Sequence, residues 1–257
     1  MAKKGAARRV EILEKGNIYF FYRPRVEKKK VSGPSGVQRL YMVLSPEGKR
    51  AARLTVIGQK EMPDPEAKSQ RYWGFVEMIA KHPESIRDEL GGKHYSTKTR
   101  GERHMSPARP FGEGVYGILR HGDHTHLVYA LELPETPGDV QEDFNIEEEA
   151  SYIITVKNPE RGSPPKAGLA KKEKADYPRK LQEHFQDKAF ANADPTELLD
   201  REGVEFVLIS ASDDVRKELG IQLKAENESE LSADIFKELK LDKSKRPLEP
   251  LLHGEWV

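Results

Sequence analysis

The chain has 257 residues, no cysteine, and 43 basic residues balanced by 43 acidic ones. The missing cysteines exclude disulfides, thiolate zinc sites, iron–sulfur ligation and cysteine nucleophiles. A third of the residues are charged, yet the apolar ones cluster in short runs, the mark of a folded chain rather than a disordered one.

Residues 1–16 read as a basic N-terminal arm, and the first thirty residues hold ten bases against three acids. The arm has no apolar core like that of a secretion signal, and no run in the chain nears the ~18 apolar residues of a membrane span. A soluble cytoplasmic protein with no membrane partner is the expectation. Strands are predicted at 17–23 (NIYFFYR), 37–45 (VQRLYMVLS) and 52–58 (ARLTVIG), where β-branched and aromatic runs stop at turn residues. The first two are joined by PRVEKKKVSGPSG, a long basic connection of the kind that is functional or disordered when it occurs inside a compact domain. A helix is predicted at 71–82, with Tyr72, Phe75, Val76 and Ile79 on one stripe.

Residues 93–112 form a basic connecting loop. Further strands are predicted at 114–120, 124–133, 151–157 and 204–210, and helices at 177–190, 213–220 and 232–241. Asp213 and Asp214 open the helix at 213–220 and Gly220 closes it. An acidic loop at 139–149 holds six carboxylates and no base. The charged C-terminal extension, 224–257, ends in LEPLLHGEWV, whose Trp256 is expected to cover a core edge.

Two blocks align with each other. LYMVLSPE (40–47) matches VYALELPE (128–135), and IYFFYR (18–23) matches VYGILR (115–120), with strand, strand, strand, helix following in each. The expectation is an α+β protein, mostly antiparallel sheet, built from two related βββα half-domains at 17–92 and 113–223, the second with an added strand and helix.

RHGDHTH, residues 120–126, carries one chemical hypothesis. If Gly122-Asp123 is a two-residue turn, His121 and His124 oppose each other and His126 shares their face. Thr125, Leu127, Tyr129, Leu131 and Leu133 then take the core face. Three imidazoles can hold zinc or manganese with an open position for water, and Asp123 can serve as a ligand or orient a ring. The corresponding function is a metal-dependent hydrolase or phosphoesterase, although a wet hairpin face explains the same residues.

The basic loop carries the other hypothesis. Lys98, Arg100, Arg103 and Arg109 supply forked and pointed donors for anionic oxygens, with His94, His104 and three hydroxyls interspersed. The leading expectation is a binding protein for a phosphate-rich ligand, nucleic acid being the natural candidate, with phosphate contacts from those four residues. A protein–protein scaffold is the third reading. The chain shows no Walker A loop, no GxGxxG after a strand and no GxSxG elbow.

Overall fold

The structure, a computed structural model, describes residues 10–49, 51–67, 69–82, 84–99, 101–163, 168–226 and 228–257. Residues 1–9 of the predicted arm and Arg100 of the predicted phosphate site lie outside the described residues. The strands are β1 (Val10–Pro24), β2 (Val37–Pro46), β3 (Ala52–Ile57), β4 (Arg71–Ala80), β5 (Lys93–Thr97) and β6 (Gly101–Met105). They continue with β7 (Arg109–His121), β8 (His124–Leu133), β9 (Glu149–Lys157), β10 (Phe190–Asn192) and β11 (Glu205–Ser212). The helices are short: α1 (Glu84–Glu89), α2 (Asp139–Asp143), α3 (Arg179–Gln182), α4 (Val215–Leu219), α5 (Asp234–Glu238) and α6 (Glu249–Leu252). Among the described residues no helix is long and apolar enough to cross a membrane.

Every strand pairing is antiparallel. Eight strands close in the order β1-β2-β3-β4-β11-β9-β8-β7, with β7 returning to β1, so the sheet is a closed barrel. Closure leaves no free edge among those eight strands. β10 extends the β8 side of β9, and β5 and β6 form a separate two-stranded hairpin.

Alternation along the strands divides the apolar residues between the two faces of the wall. Ile18, Phe20 and Tyr22 of β1 point inward with Met42, Phe111, Tyr129, Tyr152 and Phe206 from other strands, and all are essentially unexposed. Burying each such ring contributes roughly 1.5–3 kcal/mol. Tyr19, Phe21, Tyr41, Val43 and Leu54 point outward and are covered by α1, α5 and the chain near Leu239 and Leu251. A third cluster packs α4 through Val215 and Leu219 onto Leu119 and Val128 outside β7 and β8.

Mostly antiparallel sheet is the observed class, but the expected half-domains are parts of one barrel. The predicted helix at 71–82 is strand β4. Gly74 sits where an added Cβ would meet the Phe206 ring at 2.2 Å, and Val76 joins the interior cluster two residues on. That period-two placement overrides the helical stripe. The predicted helix at 177–190 shrinks to α3 and the 3-10 turn Glu183–Phe185, because Gln186 and Asp187 adopt positive φ and turn the chain into β10.

The aligned blocks are also out of phase in space. Tyr19 and Tyr41 face outward, whereas their aligned counterparts Tyr116 and Tyr129 face inward. The alignment therefore does not superpose equivalent positions of the wall. Other expectations hold: Asp214 caps α4 by accepting from the Lys217 N–H at 2.8 Å, Gly220 ends it at φ +69°, and Trp256 packs on the interior cluster.

One end of the barrel interior is polar. Arg53 is unexposed, pairs with Glu14 through both Nη groups, and donates from Nε to Asp200 at 2.7 Å. Tyr116 donates to Glu14 at 2.9 Å, and Lys49 reaches Glu14 and Thr196 at 2.9 and 2.8 Å. Burial alone would raise the Glu14 carboxyl, but hydrogen bonds and charge from Arg53, with Lys49 behind them, hold it at about 2.

Candidate functional site

The histidine hairpin forms in the register its sequence dictates. His121 pairs with His124 across the turn, and Gly122 supplies the left-handed φ of +60° that the first turn position needs. Thr125, Leu127 and Tyr129 do lie on the opposite side, toward the barrel interior. The histidine side is not wet, however, because α4 covers part of it. His126 is only 4% exposed, with Nδ1 at 3.0 Å from Ser151 Oγ and 3.7 Å from Glu218 Oε1. Burial first, then the His121 and His124 charges, depress it to about 4, so this ring stays neutral near pH 7.

Ring centroids of His121 and His126 are 5.9 Å apart, while His124 and Asp123 lie exposed at the tip. Among the described residues no group of three His, Cys, Asp or Glu side chains is placed to hold a metal ion. His121, His124, His126 and Asp123 thus share a hairpin without forming a coordination shell. Nor do Ser151, His126 and Glu218 make a nucleophile relay. Ser151 is unexposed, and Ser151 and Glu218 approach the same imidazole nitrogen instead of opposite ones.

The basic residues are distributed differently from expectation. The segment read as a loop is hairpin β5–β6, with Lys98 exposed at its turn. It is clamped to the β1–β2 connection: Glu27 N–H donates to His104 O at 3.1 Å, and His104 N–H donates to Glu27 Oε1 at 2.8 Å. His94 and His104 pair across the hairpin with centroids 4.4 Å apart. Arg103 lies 3.5 Å from Glu27, a neighbour within the same face. The clamp brings Arg25, Lys28, Lys29 and Lys30 beside the hairpin, all exposed and without a carboxylate partner among the described residues.

Arg109 does not reach solvent as a free phosphate contact. It is 5% exposed, stacks on Tyr22, and donates to the backbone oxygens of Val257 and Lys29. It belongs instead to a group of buried arginines at this end of the barrel. Arg23 is 2% exposed and donates to Tyr41 Oη and to the carbonyls of Glu89, Gly91 and Ser106. Arg246, 8% exposed, donates from Nε to Ala108 O at 2.9 Å.

None of these three guanidiniums is paired with an Asp or Glu among the described residues. Arg23 and Arg246 bond only to neutral acceptors, which satisfy donors without cancelling charge. Sequence reasoning put Arg246 in a charged linker. The visible signal was the run KSKR at 243–246, but only the closed barrel brings it beside Arg23 and Arg109.

The predicted phosphate and histidine residues lie far apart. Arg109 opposes Tyr22 and His121 opposes Val10, at the two ends of β7. At ~3.3 Å per residue this extended strand spans roughly 40 Å, so the two cannot form one phosphoesterase centre. No protein-family model matches this chain, and neither does any curated protein or solved structure.

Proposed function

We propose that the protein binds a phosphate-rich polyanion, nucleic acid being the natural candidate, across the face formed by the β1–β2 connection and hairpin β5–β6. The supporting observation is the set of exposed Arg25, Lys28, Lys29, Lys30 and Lys98, above the buried Arg23 and Arg246, none of them paired with an Asp or Glu among the described residues. Charges so arranged bind phosphates mainly by releasing condensed counterions, which fixes the test.

Binding of a fluorescent single-stranded oligonucleotide should weaken steeply and linearly on a log–log salt plot. Replacing Arg25, Lys28 and Lys98 together by Ala should reduce the magnitude of that slope by about 2, since each phosphate contact on a single strand contributes roughly 0.7. Affinity indifferent to salt, or a slope the triple variant leaves unchanged, would remove the reading.

A further inference from the structure

A groove of about 850 Å³ lies beside the polyanion face, lined by Lys29, Lys30, Arg109, Lys245, Arg246 and Trp256 among others. Its acidic lining groups are Glu249 and the terminal oxygen of Val257, which accepts from Arg109, and Asp242 pairs with Lys245 at 3.1 Å on the rim. Positive charge therefore prevails along its wall. Arg246 is the informative residue. It is more than nine-tenths buried and lines the groove, yet among the described residues only its Nε has an acceptor. Its two Nη groups have none.

The Nη groups carry four of the five guanidinium N–H donors and are not sealed from solvent, so a ligand in the groove can supply their acceptors. Burial, then the charge of Arg23, lowers the hold of Arg246 on its proton, with Asp242 pulling the other way and Arg87 adding to the fall. Arg109 is already engaged, donating to Tyr22, Lys29 and Val257. Lys29 and Lys30 are exposed at the mouth and free to close over a ligand.

Trp256 also lines the groove, fixed against Tyr22 and Phe144 at centroid distances of 5.1 and 5.5 Å and tethered by Nε1 to Asp143 at 2.9 Å. We infer that this groove is a binding site for a single phosphoryl group on a flat organic body, the Arg246 fork holding two phosphoryl oxygens and Trp256 walling the apolar part. A fork of two parallel N–H donors matches two oxygens of one tetrahedral phosphoryl group, and ammonium groups complete the neutralisation.

The chain has two tryptophans, so Trp73→Phe leaves Trp256 as the sole indole reporter. Phenyl phosphate added at constant ionic strength should change Trp256 emission saturably, with inorganic phosphate binding at least several-fold more weakly for want of the ring. Arg246→Gln should weaken phenyl phosphate at least ten-fold. Lys245→Ala, an exposed change that cannot unfold the chain, should weaken it two- to five-fold, and Lys98→Ala should do nothing. An unsaturable response, a response equalled by sodium chloride, or affinity that survives both Arg246→Gln and Lys245→Ala would overturn the site. A blank titration beside an intact oligonucleotide salt slope defeats the groove alone; the reverse defeats the polyanion reading alone.

Discussion

Replacing Arg53 by Met should destabilise the fold by about 3–5 kcal/mol, read as a fall in the urea midpoint at pH 7. The reason is the charge left behind. Glu14 and Arg53 have no meaningful exposure, and Asp200 is only partly exposed. Without the guanidinium, Glu14 keeps Lys49 and the Tyr116 hydroxyl, which cannot replace the two-pronged contact. The barrel end then either admits water or protonates Glu14.

The pH dependence separates these outcomes. In the native fold Glu14 sits at about 2, below the ordinary 4.5, so its contribution is complete above 4.5 and is lost as pH falls from 4.5 toward 2. In Arg53→Met that acid-side loss should disappear, because burial alone raises the carboxyl. A second change, Glu14→Gln, should recover part of the stability in the Arg53→Met background while costing stability in the native one. A double-mutant coupling near zero would show that the pair does not act as a unit.

Much of the wall was legible because strands advertise themselves by local chemistry. Aromatic and β-branched runs placed β2, β3, β7, β8, β9 and β11, and two letters, Gly122-Asp123, fixed the hairpin register. What stayed hidden depends on closure. RYWGFVEMIA suits a helix by its stripe, and only the Phe206 ring opposite Gly74 decides for a strand. The outer face of β7 and β8 looked wet because α4, which covers it, lies about ninety residues downstream. Of the predicted phosphate residues, Lys98 is presented to solvent and Arg103 is drawn to Glu27. Arg109 could not be recognised as internal, because its acceptors come from Tyr22, Lys29 and Val257, up to 148 positions away.

Glu113→Gln should stabilise the protein at pH 8 by about 2–4 kcal/mol and leave it unchanged near pH 4. Glu113 projects from β7 at 1% exposure, and its Oε1 accepts the N–H groups of Asp234 at 2.5 Å and Ile235 at 3.1 Å, which docks α5 on the barrel. Among the described residues its Oε2 has no hydrogen-bond partner. The groups facing this cluster are almost all acidic: Glu228 beside it, Glu132 of β8, and Glu226, Asp234 and Glu238 of the C-terminal segment, with Tyr19 of β1 and the outlying Lys237.

Burial first, then the Glu228 carboxyl, pushes Glu113 up to about 9, and burial does the same to Glu132, to about 7. Both folded values exceed the ordinary 4.5, so the folded chain holds protons that the unfolded chain releases. The stability they contribute is full below 4.5 and is lost as pH rises, until about 7 for Glu132 and about 9 for Glu113. Glutamine keeps the acceptor for both backbone N–H groups and presents a donor to Glu228 in place of a charge that must be neutralised. The urea midpoint of the native chain should therefore fall between pH 5 and 9, and that of Glu113→Gln should fall less. Equal slopes would mean Glu113 is ionised in the fold and paired in some other way.

The same segment continues to Lys245 and Arg246, so loosening it at high pH carries a consequence for the groove. Phenyl phosphate should bind more weakly at pH 9 than at pH 6 in the native chain, and less so in Glu113→Gln. The ligand's own ionisation runs the other way, gaining negative charge across that range, which makes a fall in affinity a clear sign that the docked segment has let go.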